Sequence, residues 1–172
     1  MWNRGRIWLV VILSLVLLVG DVVSKRAIHE NVPVITLATL NYPYGGVGIF
    51  KDFLGVEFSI VHVTNTGAAW NLFADSQLPL LLARIAVILG LITYLFFFNR
   101  RFDAQIPLVL VIAGAISNVL DVFLYGHVVD MLHFRFWGYE YPVFNLADSA
   151  ISVGVAWLFL MAFIGRREES IL

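Results

Sequence analysis

The sequence predicts a membrane-embedded, all-α core of four transmembrane helices, with a small β-rich insertion outside the membrane. Three observations predict this fold class. Of the 172 residues, 60% are hydrophobic and only 13% are charged, whereas about 25% of the residues of a typical soluble domain are charged. Four long apolar stretches follow one another, and a β-branched segment separates the first from the second. Because little chain lies outside these stretches, we expect one membrane-embedded domain over residues 1–172.

Composition argues against several kinds of function. The formal net charge is −1 and no dense basic cluster occurs, so nucleic acid is not expected as a partner. The chain has no cysteine, which excludes disulfides, thiolate metal sites and cysteine nucleophiles.

Each predicted span must draw polar flanking residues into or near the bilayer. The uncharged cores of the four stretches are short for a spanning helix, which needs about 20 residues. The spans are predicted at about residues 6–24, 79–98, 105–123 and 148–165. At one end, their apolar cores are bounded by Asp21, Arg84, Asp121 and Asp148.

Arginine pairs lie at the opposite ends of the spans, namely Arg4, Arg6, Arg100, Arg101, Arg166 and Arg167. Under the positive-inside rule they place both termini in the cytoplasm, so the four bounding charges meet at the outer face. A cleavable signal peptide is the alternative for the N-terminus. Because "VGDVVSKRA" has charges where a cleavage site needs small residues, we expect an uncleaved first helix.

The segment of about residues 29–65 is predicted to form a β-rich insertion on the outer side of the membrane. "VPVITLATL" and "GVEFSIVHV" are β-branched and partly alternating, and the turn-rich "NYPYGGVG" lies between them. This arrangement is typical of two strands of a small sheet.

Polar residues at the helix ends are predicted to share helix faces. Asp21 and Lys25 are four residues apart and can pair, although an ordinary interfacial ion pair has the same spacing. Asn118 and Asp121 share a face of the third helix, beside small residues that allow close helix contact. Since such side chains are costly in lipid, we expect them inside the bundle, as an interhelical hydrogen-bond clip or as part of a reactive site.

Two further carboxylates suggest acid–base chemistry. In "FNLADSA", Asn145 and Asp148 have the spacing of a capping box at the start of the fourth helix, and capping alone would explain both. Asp130 lies in the apolar "HVVDML", where desolvation should raise its pKa. Two carboxylates in unequal environments can hydrolyse a peptide bond, because one takes a proton from water while the other protonates the carbonyl oxygen.

Two alternatives remain at this point. His127, Asp130 and His133 could hold zinc in a metalloprotease, but no HExxH motif occurs, and we expect neither a metal nor another cofactor. A non-enzymatic transporter or assembly subunit could use the charges as an ion path or as helix clips. Such a protein would place some of them at mid-membrane.

Five short motifs, in order along the chain, resemble those of the bacterial lipoprotein signal peptidase family, also called signal peptidase II. They are DxxxK at Asp21–Lys25, NxGAA at Asn65–Ala69, NxxD at Asn118–Asp121, GxVVD in "GHVVD" and FNxADS in "FNLADS". The resemblance covers almost the whole chain. It implies a β-cradle and an amphipathic segment within residues 29–80.

The resemblance also implies roles for individual residues. The catalytic pair would be Asp130 and Asp148. Catalytic support or substrate binding would come from Asn65, Asn118, Asp121 and Asn145. Structural support would come from Asp21, Lys25 and Gly67.

Three positions depart from the family's pattern. Val122 stands where the family usually has arginine, and Asn71 and Ser117 stand where it commonly has glycine. The first departure leaves the charge of Asp121 to be balanced by another residue, for which Arg84 is the candidate.

The function implied by the resemblance is that of an aspartic endopeptidase. It would cleave the signal peptide from diacylglyceryl-modified prolipoproteins just before the lipidated cysteine. The resemblance further implies a monomer among membrane lipids, without a cofactor and inhibited by the cyclic peptide antibiotic globomycin. The expected location is the bacterial cytoplasmic (inner) membrane, with the active site toward the periplasm.

Overall fold

The computed structural model describes residues 4–35, 46–67 and 76–169. Within these ranges the chain forms four helices and a small four-stranded sheet. The helices are α1 (Arg4–Asn31), α2 (Gln77–Thr93, continuing as a π-helical segment at Tyr94–Phe98), α3 (Gln105–Tyr125) and α4 (Leu146–Glu169). The strands are β1 (Val47–Phe53), β2 (Val56–Asn65), β3 (Val128–Phe136) and β4 (Tyr139–Glu140).

All four helices are long and apolar enough to cross a membrane. The qualifying segments are Trp8–Asn31, Gln77–Phe98, Gln105–Tyr125 and Leu146–Ile164. Many large apolar side chains on these helices are exposed, as expected for surfaces in contact with lipid. The predicted fold class, four membrane helices with a small antiparallel sheet, is confirmed.

Helix α3 lies at the centre of the bundle, in contact with α1, α2 and α4. Its approach to α4 depends on two glycines. A Cβ atom on Gly114 would lie 2.5 Å from the Ala147 carbonyl oxygen, and one on Gly154 would lie 2.6 Å from that of Pro107. Small residues therefore let the two backbones pack closely, which brings the polar end of α3 against the start of α4.

The sheet is antiparallel with strand order β1-β2-β3-β4. Strand β2 contains most of the predicted "GVEFSIVHV" strand, but its neighbours differ from those expected. β1 begins inside the predicted turn "NYPYGGVG", and β3 comes from outside the predicted insertion. β3 pairs with β2 along its whole length, from Val56 opposite Phe136 to Asn65 opposite Val128. β3 therefore lies on one edge of β2 and β1 on the other.

The predicted strand "VPVITLATL" is only partly within the described residues. Its first four residues form no strand, and the remainder lies in 36–45, outside those residues. Residues 68–75 also lie outside them, and with them Asn71 and part of the range in which the amphipathic segment is expected. Helix α1 continues to Asn31, past the predicted end of the first span, because Asp21 and Lys25 are accommodated on its buried face.

Candidate active site

Asn145 organises the polar site where α4 begins. Its side-chain Oδ1 accepts a hydrogen bond from the backbone N–H of Asp148 at 2.8 Å, and its backbone N–H donates to Asp148 Oδ2 at 3.3 Å. This reciprocal pair is the capping box that the spacing predicts. The Asn145 side-chain amide also donates to Asp130 Oδ1 at 2.8 Å. One buried asparagine therefore holds both carboxylates.

Asp130 lies on β3 and is only 2% exposed. Its second oxygen, Oδ2, accepts a hydrogen bond from the Asn65 side chain at 3.1 Å. Burial, and secondarily the negative charge of Asp148, raises the pKa of Asp130 to about 7. This carboxyl can therefore hold a proton near neutral pH, as the apolar surroundings in the sequence predict.

Asp148 is oriented by α3 as well as by its own helix. Its Oδ1 accepts a hydrogen bond from the Asn118 side-chain amide at 2.7 Å. The Asn118 Oδ1 in turn accepts from Lys25 Nζ at 2.9 Å. Because an ammonium group can only donate, Lys25 fixes the amide orientation of Asn118 and directs its NH₂ group at Asp148.

Lys25 is fully buried between two carboxylates. Its Nζ lies 2.6 Å from Asp21 Oδ2 and 2.7 Å from Asp121 Oδ2. Asp21 also accepts hydrogen bonds from Ser117 Oγ at 2.7 Å and from the Ala147 backbone N–H at 2.8 Å. Lys25 thereby joins α1 to α3, and Asp21 joins α1 to the first turn of α4.

The expectation that Arg84 balances the charge of Asp121 is wrong. The Lys25 ammonium group does so, because α1 packs on the face of α3 that carries Asp121. The same Asp121 oxygen, Oδ2, also accepts a hydrogen bond from the Val129 backbone N–H at 3.2 Å, which ties the start of β3 to α3. With Lys25 in this position, Asp121 has a cationic partner although residue 122 is valine.

Arg84 instead supports the loop that follows β2. Its Nη2 donates to the Gly67 carbonyl oxygen at 2.6 Å. The Gly67 backbone N–H donates to Asn65 Oδ1 at 3.0 Å, which leaves the Asn65 NH₂ group to face Asp130. Gly67 and Arg84 therefore position Asn65.

A cavity of about 530 Å³ opens beside both carboxylates. Its polar lining includes Asn65, Arg84, Asn118, Asp130 and Asp148, and its remaining lining is largely apolar or aromatic, including Val128, Tyr141, Pro142, Val143, Phe144, Ile151 and Val153. Of these residues, Phe144 is the first residue of the FNxADS motif. Residues 141–143 belong to no motif, and their only signal was their position shortly before the cap of α4.

The alternative metal group of His127, Asp130 and His133 is not assembled. Asp130 and His133 are three residues apart on one strand, so their side chains point to opposite faces of the sheet. His133 contacts Glu140 and, at 3.3 Å, Ser59, and it is not among the residues lining the carboxylate cavity. The Ser149 hydroxyl, at the cavity wall, donates to the Asn145 carbonyl oxygen at 3.0 Å.

The family model for signal peptidase (SPase) II matches residues 13–164. The chain belongs to the signal peptidase II family. As a member, it is a membrane peptidase that cleaves signal peptides from prolipoproteins.

Three relatives, each described as a lipoprotein signal peptidase, illustrate the similarity. The Chlamydia pneumoniae protein is 47% identical over 59% of this chain, and the match spans 62% of its own length. The Chlamydia felis protein is 36% identical over 90% of each chain. The Burkholderia ambifaria protein is 35% identical over 85% of this chain and 82% of its own.

Two solved structures share the fold. Both are described as bacterial membrane enzymes, determined at 2.3 Å and 1.9 Å resolution. They superpose with TM-scores of 0.75 and 0.71, each over 91% of this chain and over 88% and 93% of their own, at 23% sequence identity. This likeness supports the arrangement of the four helices and the sheet.

Proposed function

We propose that the peptidase reaction is aspartic and that Asp130 and Asp148 catalyse it. The observation that carries this proposal is the shared asparagine: Asn145 holds one oxygen of Asp130 and caps Asp148, and both carboxylates border one cavity. The pKa of Asp130, raised to about 7, gives the pair a single proton to share near neutral pH.

In the proposed reaction, Asp148 takes a proton from a water molecule as the water oxygen attacks the scissile carbonyl carbon. Asp130 donates its proton to the carbonyl oxygen, which gives a neutral gem-diol. Asp130, now ionised, takes a proton from one gem-diol hydroxyl, and Asp148 protonates the departing amide nitrogen as the C–N bond breaks. The pair ends with one proton, as it began, so no covalent intermediate and no cofactor are needed.

The supporting residues keep this geometry without reacting. Asn65 and Asn145 hold Asp130 from two sides, and Asn118 holds Asp148. The Lys25 ammonium group, bound to Asp21 and Asp121, donates a hydrogen bond to Asn118 Oδ1 and thereby fixes the orientation of that amide. We propose that Asn65, which borders the cavity, also contacts the substrate.

We propose that the substrate is a prolipoprotein whose cysteine carries diacylglycerol, cut just before that cysteine. A cavity with carboxylates on one side and apolar and aromatic side chains on the other suits a peptide bond next to a lipid. Acyl chains in the bilayer would hold the scissile bond at the depth of the carboxylates. This provides a reason for the site to lie at one end of the helices.

We further propose that the enzyme is a monomer of the bacterial inner membrane, with both termini in the cytoplasm and the cavity open toward the periplasm. The arginine pairs at the opposite helix ends support this orientation. Globomycin, a cyclic peptide, would inhibit by occupying the cavity in place of the substrate.

Cleavage of matched substrates tests this function. Purified protein is incubated with a diacylglyceryl-modified prolipoprotein and with its unlipidated twin. We expect cleavage of the lipidated form just before the modified cysteine, blocked by globomycin, and little cleavage of the twin. Equal cleavage of both substrates, or cleavage elsewhere, would contradict the substrate assignment.

A further inference from the structure

Three histidines from distant parts of the chain meet outside the carboxylate site. His29 lies in the last turn of α1, His62 on β2, and His127 in the connection between α3 and β3. One ring nitrogen of each lies within 4.8 Å of those of the other two. None of the three lines the carboxylate cavity or contributes to the proposed reaction.

His62 provides an unused buried nitrogen in this histidine cluster. The side chain is only 2% exposed, and its Nδ1 lies 2.8 Å from the Val32 carbonyl oxygen. Since a carbonyl oxygen only accepts, Nδ1 must carry the proton, and Nε2 then bears a lone pair. That Nε2 is buried without a hydrogen-bond partner among the described residues, an arrangement that requires an explanation because buried polar atoms are normally paired.

His127 has the same feature, since its Nε2 is also buried without a partner in the described part of the chain. His29 is exposed, so one side of the cluster is open to solvent.

We propose that His29, His62 and His127 bind a divalent transition-metal ion, with Zn²⁺ as the preferred ion and water as a fourth ligand. Imidazole nitrogens suit zinc, copper and nickel better than magnesium or calcium. Tetrahedral zinc with Zn–N bonds of about 2.0–2.1 Å holds its ligand nitrogens roughly 3.4 Å apart. Side-chain rotations that move the ligand nitrogens by about 1 Å would therefore close the cluster around the ion. The Val32 carbonyl oxygen already orients the His62 ring, as hydrogen-bond acceptors behind metal-binding histidines do.

The ion would act as a clamp and would take no part in peptide hydrolysis. His62 lies at the irregularity in β2–β3 pairing, between Ile60 and Val63, three residues before Asn65. His127 lies three residues before Asp130. Joining these two histidines to the end of α1 would therefore hold together the elements that carry Asn65 and Asp130.

Metal binding to protein without a polyhistidine tag tests this proposal. Metal-free protein is titrated with Co²⁺, followed by visible absorption, and with Zn²⁺, followed by equilibrium dialysis and by Tm. We expect one ion per chain and a rise in Tm. The His62→Gln change should weaken binding by at least about 100-fold, which is more than is lost when only a hydrogen-bond partner of a metal ligand is removed.

Two further variants make the result decisive. His29→Gln changes an exposed side chain and should also remove binding, so the test does not depend on how well His62→Gln folds. His133→Gln is the matched control, because the fourth histidine contacts Ser59 and Glu140 instead, and it should bind like the unaltered protein. Absence of stoichiometric binding, binding that survives both His29→Gln and His62→Gln, or loss in His133→Gln would overturn the proposal. These readouts are independent of peptidase activity.

Discussion

Asp130 is the residue whose protonation limits the pH range of the proposed reaction. In the proposed reaction the pair is active with one proton, carried by Asp130, whose pKa is raised to about 7 by burial and by Asp148. Turnover should therefore fall as the pH rises above about 7, because Asp130 loses the proton it must donate. It should also fall at low pH, when both carboxyls are protonated and neither can activate water.

This bell-shaped profile is measured as kcat/KM against pH on a lipidated substrate, with and without a chelator. A chelator would empty the histidine cluster and lower Tm, but it would not remove a reacting group, so turnover measured well below the Tm of the metal-free protein should persist. The two macroscopic pKa values belong to the pair rather than to either residue. A kcat/KM that does not fall at low pH, or turnover that requires added metal, would contradict aspartic catalysis.

The raised pKa of Asp130 also predicts a cost in stability. Between about pH 4 and pH 7 the folded protein keeps a proton that the unfolded chain releases, so folding stability falls as pH rises through this window. At about 1.4 kcal/mol per pKa unit, the loss reaches at most about 4 kcal/mol. The Tm of Asp130→Asn minus that of the unaltered protein, both measured at the same pH, should therefore be larger at about pH 8 than at about pH 5. A constant difference in Tm would mean that Asp130 is ionised at both pH values.

At the residue scale, sequence spacing predicted the contacts that form within one helix or at its start. The Asn145–Asp148 capping box and the Asp21–Lys25 pair follow from spacings of three and four residues, and both form. The contact between Asn145 and Asp130 depends on where β3 lies beside the start of α4, which no local pattern encodes. The partner of Asp121 was wrongly predicted for the same reason: it depends on how α1 packs against α3.

Among the elements, α1 contributes the buried ammonium group that holds α3 in place. In the Lys25→Met variant, Asp21 and Asp121 would remain buried without a counter-charge, and Asn118 would lose the donor that orients it. Breaking a buried ion pair in this way typically costs about 3–5 kcal/mol. We expect a much lower Tm and poor yield in detergent, and slow cleavage by the protein that remains.

The neighbouring residue provides the control for this prediction. Arg26 pairs with Glu30 on the exposed side of the same helix, and exposed pairs contribute about 0–1 kcal/mol. Arg26→Met should therefore keep near-normal Tm and activity, while Asp21→Asn should chiefly reduce yield or stability. Equal Tm values for Lys25→Met and Arg26→Met would show that the buried lysine is dispensable.

Hydrophobic patterns predicted the helices well, because a bilayer requires long apolar segments whatever their packing. The strands were harder to predict. β3 has the sequence "VVDMLHFRF", in which apolar and polar residues alternate only over the last five residues, and its aspartate and histidine were interpreted as reactive groups and not as parts of a strand. The histidine cluster was missed because its members come from three elements, and only the assembled fold brings them together.

For the whole molecule, the proposed function requires one orientation in the membrane. Both termini should be cytoplasmic, because the arginine pairs lie at the helix ends opposite the carboxylates. A reporter fused after Leu172 should be active only in the cytoplasm, and one inserted near Gly45 only outside it. An outward C-terminus would overturn the orientation and, with it, the placement of the site at the outer face.

The measurement that tests the central claim most directly is cleavage of a lipidated prolipoprotein by three single variants. Asp130→Asn and Asp148→Asn should each lower turnover by at least about 100-fold, the lower end of what a positioned acid or base contributes. Both should remain folded and inserted, with one sharp unfolding transition. The control, Asp103→Asn, removes an exposed carboxylate that pairs with Arg101 and should cleave normally. If Asp130→Asn or Asp148→Asn retained near-normal turnover, the catalytic pair would be wrongly assigned.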